Sequence, residues 1–176
     1  KFKILGQFVK KNLVLVGMMA SGKTTLGKIV AKKQNLKFID TDLNIEKRNS
    51  MTINEIFEKK GEEFFRVEEE KETLKCLKKN NCVISLGGGA FLNKNIQSLI
   101  AKNHVSFWLN WKNITIIRRI RRNRKRPLAN KLGDEDIKKL IINRNEFYAK
   151  ADYKIECENK TKLEIVEKII KNYEKL

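Results

Sequence analysis

The chain has 176 residues, enough for one domain with a buried core, and a single proline with ordinary apolar content excludes a disordered chain. No apolar run is long enough for a membrane span, and the three cysteines, Cys76, Cys82 and Cys157, show neither zinc-ligand spacing nor the even number of a disulfide framework. The net charge of +18 favours a polyanionic partner, but the lysines are scattered beside glutamates as on solvated faces, and a nucleotide-phosphate site is basic as well.

Residues 1–11 read as a short leader without a continuous apolar signal core, so the expected compartment is the cytoplasm. A strand is expected over 12–17 and a helix over 22–34. Between them stands Gly17-Met-Met-Ala-Ser-Gly22-Lys23-Thr24, the phosphate-binding loop pattern in its required strand–loop–helix context. Glycines let successive N–H groups turn inward on phosphate oxygens, and the positive end of the next helix points the same way. Lys23 can reach the β- and γ-phosphates, and the Thr24 hydroxyl can ligate Mg2+.

A short strand Lys37–Asp40 comes next, then helical segments near 42–60 and 62–79. The apolar run Cys82–Leu86 ends in Gly87-Gly88-Gly89. A helix near 94–102, a strand Val105–Leu109, a helix near 112–122, a basic loop, a helix near 134–149, a strand near 153–157 and a helix 161–174 complete the pattern. Strands alternating with helices imply a parallel sheet covered on both faces, with ligands at the carboxyl ends of its strands.

By that rule the residues just past each strand are the candidates for chemistry. Asp40 and Asp42 lie two residues apart, so in extended chain both carboxylates face one way. One could support Mg2+ through water, and the other could orient a substrate hydroxyl; alternatively Asp42 is simply a helix N-cap. Three consecutive glycines suit a substrate ring lying against the backbone, or a strained turn. Arg66 and Arg144 could clamp a small carboxylate, or could pair along their own helices, Arg66 with Glu62, Glu69 or Glu70 and Arg144 with Glu146. The basic stretch Arg118–Arg126 before Pro127 suits a phosphoryl-transfer lid, a solvated loop or an RNA-contacting arm, although no aromatics are interleaved as single-strand binding would need.

Six segments together resemble shikimate kinase over nearly the whole length: the loop Gly17–Gly27, Phe38-Ile-Asp-Thr-Asp42, Gly61-Glu-Glu-Phe-Phe-Arg66 through Glu69, Ile84-Ser-Leu-Gly-Gly-Gly-Ala90, Arg119-x6-Arg126-Pro-Leu, and Arg144-x3-Tyr148-x2-Ala151-Asp152. The resemblance implies an α/β, three-layer P-loop fold of the nucleoside-monophosphate-kinase type. Its five-stranded parallel sheet would be flanked by helices within a single domain, with a substrate-binding region near 40–66 and a mobile lid near 120–133. It implies ATP-dependent phosphorylation of the 3-hydroxyl of shikimate, one Mg2+ per subunit, a monomer, and no nucleic-acid or membrane partner.

By the same resemblance Ala20, Ser21, Gly22, Lys23, Thr24 and Thr25 bind the ATP phosphates, and Thr24 and Asp40 serve the metal. Asp42 orients or deprotonates the hydroxyl. Arg66 and Arg144 hold the carboxylate, and Gly87, Gly88 and Gly89 lie at the ring. Arg126 is the lid arginine, Arg119 flanks the adenine, and Lys160 sits on an adenine-side loop. Catalysis would rest on Lys23, Asp42 and Arg126. One departure is Ala20, where the family loop usually has glycine; alanine does not take a positive φ cheaply. Two other readings stay open, a gluconate-type kinase of the same fold and a nucleic-acid-binding module.

Overall fold

In a computed structural model the chain is described over residues 11–122 and 132–175. Five parallel strands, β1 (Leu13–Val16), β2 (Lys37–Asp40), β3 (Cys82–Ser85), β4 (Val105–Asn110) and β5 (Tyr153–Glu156), form one sheet in the order β2-β3-β1-β4-β5. The helices among the described residues are α1 (Lys23–Lys33), α2 (Thr41–Asn49), α3 (Ile53–Leu77), α4 (Lys94–Asn103), α5 (Asn113–Arg122), α6 (Asp134–Tyr148) and α7 (Lys162–Tyr173).

The strands alternate their apolar side chains between two cores, as the two-residue period of a strand requires. Val14, Val16, Ile84 and Trp108 face one side and meet α3, α4, α5 and α6 through residues such as Leu77, Ile100, Ile120 and Ile141. Leu13, Leu15, Val83, Phe107 and Ile155 face the other and meet α1 and α7 through Val30, Val166 and Ile169. The register pairs Ser85 of β3 with Leu15 of β1 and with Asp40 of β2, so these three strands end within one residue of each other, while β4 runs on to Asn110. That common end is where the loops after β1, β2 and β3 assemble.

The expected elements are present, most with boundaries shifted by one or two residues. The exception is the segment after β2, where the expected break at Gly61 is not the break observed. The chain leaves α2 at Ser50 (φ 50°) and enters α3 through Thr52, whose hydroxyl accepts from Glu55 N (3.2 Å) while Glu55 accepts from Thr52 N (2.8 Å). This capping box starts the helix earlier than a glycine could stop it. Gly61 (φ 83°, ψ 168°) only kinks the helix, with nothing close to where a Cβ would stand. Ile45, Ile56 and Phe65 form a separate small core that holds α2 and α3 together over the open end of the sheet.

Candidate active site

The loop after β1 has a shape only partly available to ordinary residues. Gly17 has φ 140°, and a Cβ there would stand 3.2 Å from the Leu109 carbonyl oxygen. Gly22, at φ 92°, precedes α1 with no side-chain cap and no acidic residue in the first turn, so the leading N–H groups and the helix dipole are left for an anion. Ala20 also takes a left-handed conformation, φ 62°, at a cost of about 1 kcal/mol for a residue with a Cβ. Lys23 is buried and folds back over the loop, donating to the carbonyls of Gly17 (2.8 Å) and Met18 (3.0 Å).

After β2 the roles of the two aspartates separate. Asp40 is the N-cap of α2, accepting from Leu43 N (3.2 Å), and its other oxygen accepts the Thr24 hydroxyl at 2.6 Å. The capping alternative weighed for Asp42 therefore falls to Asp40. Asp42 lies in the first turn of α2, so extended-strand alternation is not what brings the two carboxylates together. Helical curvature swings Asp42 over the glycine loop, where a Cβ on Gly87 would meet its Oδ1 at 2.6 Å.

The three glycines are there for space, not for turn geometry, since none has a positive φ. Side chains on Gly87 would collide with Asp42 and Glu69, and on Gly89 with the Arg66 guanidinium. A Cβ on Gly88 would stand 3.2 Å from Arg144 Nη1. The loop is pinned from beneath: Gly87 N donates to the Thr41 hydroxyl (2.9 Å), and the Tyr148 hydroxyl donates to the Gly88 carbonyl (2.5 Å). Tyr148 is buried, which pushes its pKa up to about 12 and keeps it a donor.

The ion-pair reading of Arg66 holds, and the pairing leaves its side chain at the cavity wall. It donates through Nε and Nη2 to Glu62 (3.2 and 2.8 Å) and through Nη1 to Glu69 (2.7 Å), and it lines the cavity beside Gly89. Burial works against its charge, but Glu69 and Glu62 outweigh that, and its pKa is raised. Glu69 is itself buried, so this is a positioned pair, not a solvated one. Arg144 differs. Among the described residues it pairs with no carboxylate, Glu146 included; it donates to Met18 Sδ at 3.7 Å and lies beside the Tyr148 hydroxyl.

These parts enclose a cavity of about 800 Å³. Ala20, Gly22, Lys23, Thr24, Thr25 and Asp40 line one end; Asp42, Arg66, Gly88, Gly89 and Arg144 line the other. Ser21 is buried in the loop wall, with its carbonyl accepting from Trp111 Nε1 at 2.9 Å. Arg119 lies outside the cavity wall, stacked over the Trp111 ring at 3.7 Å, and burial lowers its pKa. Lys160 is exposed on the turn after β5 and does not line the cavity. Arg126 and most of the expected lid lie outside the described residues. Sequence reasoning gave no role to Thr41 or Tyr148, and gave Glu69 only that of a helical partner for Arg66. Glu69 and Tyr148 stand inside the six family-like segments, where spacing from Arg66 and Arg144 was the available signal.

A family model described as shikimate kinase matches residues 19–174. A shikimate kinase of Caldanaerobacter subterraneus is 42% identical over 167 residues, spanning 94% of this chain and 98% of the relative. Among solved structures, a shikimate kinase from Acinetobacter baumannii in complex with shikimate superposes with a TM-score of 0.87 at 28% identity, covering 94% of this chain and 93% of that one. A gluconokinase from Sinorhizobium meliloti, at 12% identity, a TM-score of 0.58 and coverage of 95% and 93%, shares the fold alone.

Proposed function

The chain belongs to the shikimate kinase family, and we infer from that membership that it transfers the γ-phosphoryl group of ATP to the 3-hydroxyl of shikimate. The products are shikimate 3-phosphate and ADP, within chorismate and aromatic amino-acid biosynthesis. It is an ATP-dependent phosphotransferase with an alcohol acceptor.

The observation that carries the assignment of roles is Arg144. A cation at a cavity wall with no carboxylate partner among the described residues is a poor use of charge unless a ligand brings the anion. With Arg66 held by Glu62 and Glu69 on the opposite side of the same glycine loop, two guanidinium groups are offered to one carboxylate. This supports a carboxylated acceptor seated over Gly88.

The transfer then needs positioning and charge stabilisation more than covalent chemistry. Lys23 exchanges its carbonyl partners for phosphate oxygens, and the N–H groups of the loop and of α1 hold the remaining charge. Asp42, aimed over the loop, accepts the hydroxyl proton or orients the hydroxyl for in-line attack. Arg126 is proposed as the lid residue on the γ-phosphate. The Thr24 hydroxyl beside Asp40 is a hard-oxygen pair suited to Mg2+, with Thr24 as ligand and Asp40 behind it. The cation, when bound, neutralises charge developing between the β- and γ-phosphates.

Ser21 and Thr25 belong to the proposed phosphate cradle, Gly87 to the acceptor loop, and Arg119 and Lys160 to the adenine side. A monomer acting in the cytoplasm is proposed; no described helix is long and apolar enough to cross a membrane. The test is ADP release with ATP and Mg2+ in the presence of shikimate, of gluconate or of no acceptor. Turnover with shikimate alone is the expected result, and turnover with gluconate instead would reassign Arg66, Gly88 and Arg144.

A further inference from the structure

Two side chains outside the cavity grip the phosphate loop from behind, on consecutive carbonyls. Trp111, just past β4, donates from Nε1 to the Ser21 carbonyl at 2.9 Å. Arg119 of α5 reaches the Ala20 carbonyl at 3.5 Å while its guanidinium lies 3.7 Å above the Trp111 ring. Trp111 is itself anchored, packed against both apolar layers of the domain. Its contact with Ser21 therefore ties the loop to the sheet and its two cores.

The loop needs such a tie because of Ala20. Its φ of 62° is one a residue with a Cβ leaves readily if nothing holds it, whereas glycine would stay without help. In a planar trans peptide the C=O and the following N–H point in opposite directions. Fixing the Ser21 carbonyl toward Trp111, which is not part of the cavity wall, turns the Gly22 N–H toward the side that is. The brace and the phosphate-binding donor belong to one rigid peptide.

We propose that Trp111, with Arg119 stacked upon it, is a positioning residue that holds the Ala20–Gly22 turn in its phosphate-binding shape and so sets the affinity for the nucleotide. This rests on the reading of the loop as the ATP site. Among the described residues Arg119 forms no ion pair, and its guanidinium is directed at the Trp111 ring and the Ala20 carbonyl.

The experiment is a steady-state comparison of wild type, W111F, A20G and A20G/W111F, with calorimetric titration of ADP and thermal melting of each protein. W111F keeps a ring beneath Arg119 but removes the donor. Loss of that bond is expected to raise KM for ATP and Kd for ADP about fivefold, with kcat and KM for shikimate within about twofold. In the A20G background, where the positive φ costs little, the same substitution should change ADP affinity by less than about twofold. If W111F does not fold, 3-benzothienylalanine at position 111 removes the N–H from an isosteric ring. An unchanged KM for ATP, an equal rise in both Michaelis constants, or an undiminished effect in A20G would overturn the proposal. If wild type binds ADP and W111F weakens that binding but no variant phosphorylates shikimate, the brace stands and the assigned reaction fails.

Discussion

Replacing Arg144 by methionine separates a ligand-binding charge from a structural one. The side chain has no carboxylate partner among the described residues, and its buried Nε has no hydrogen-bond partner. Removing it from the free enzyme breaks no ion pair among the described residues, and relief of that desolvated donor, worth about 1 kcal/mol, is set against the lost contacts with Met18 Sδ and the Tyr148 hydroxyl. For a domain of this size that corresponds to a Tm within about 2–4 °C of wild type. With substrate the sign reverses. A charge-assisted hydrogen bond to a carboxylate is worth about 1.5–3 kcal/mol, so KM for shikimate should rise roughly tenfold to a hundredfold, with KM for ATP within about twofold. Arg66→Met is the contrasting perturbation. It strands the buried Glu69 carboxylate, and because Arg66 is 37% exposed the expected stability cost is only about 1–2 kcal/mol, enough to lower Tm by several degrees. Coupled ADP-release assays at saturating ATP, with melting curves on the same samples, measure both effects. If R144M melts as far below wild type as R66M and leaves KM for shikimate unchanged, Arg144 is structural and the clamp is wrong.

Lys23→Ala and Asp42→Asn should each lower kcat by at least about a hundredfold while the melting transition persists, because they remove charge stabilisation and hydroxyl positioning; near-normal turnover in either would end its assignment. His104, the single histidine, is buried with Nδ1 unpartnered, and burial lowers its pKa below the ordinary 6.5. The unfolded chain then binds the extra proton first, so this contribution is complete above about pH 6.5 and is lost as pH falls through the lowered folded value. His104→Asn should flatten that part of the Tm–pH curve between pH 7 and 5, and superimposable slopes for the two proteins would exclude His104 as a cause.

The phosphate loop was legible because its chemistry is local. Gly17, Gly22 and Lys23 are specified by what one stretch of backbone must do, and tertiary packing adds only the partners. The parallel character of the sheet was legible from strands alternating with helices, whereas its strand order was not. Where the reading failed, the deciding fact lay outside the local window. Ser50 and the Thr52–Glu55 box, not Gly61, end one helix and begin the next. Asp40 caps α2 because the helix begins one residue earlier than expected, and that single step places Asp42 over Gly87.

The glycine triplet shows most clearly what a sequence withholds. Its composition said that side chains are unwelcome, but not whose atoms take the space. Part of the answer is the protein's own Asp42, Glu69, Arg66 and Arg144, all converging on three residues of backbone. Arg66 read from helical spacing is an ion-pair partner of Glu62 and Glu69, and so it is; its value to the site comes from that pairing, because the carboxylates hold the guanidinium at Gly89 before any ligand arrives. Arg144 has no such support from a carboxylate among the described residues. One arginine is thus fixed in advance and the other has its charge unspent, so the second should dominate discrimination for a carboxylated acceptor while the first supplies geometry. Arg66→Lys, which keeps charge but loses the fork, should then cost affinity mainly through lost preorganisation, and its penalty in KM for shikimate should shrink in an E62Q/E69Q background, where no carboxylates remain to be matched.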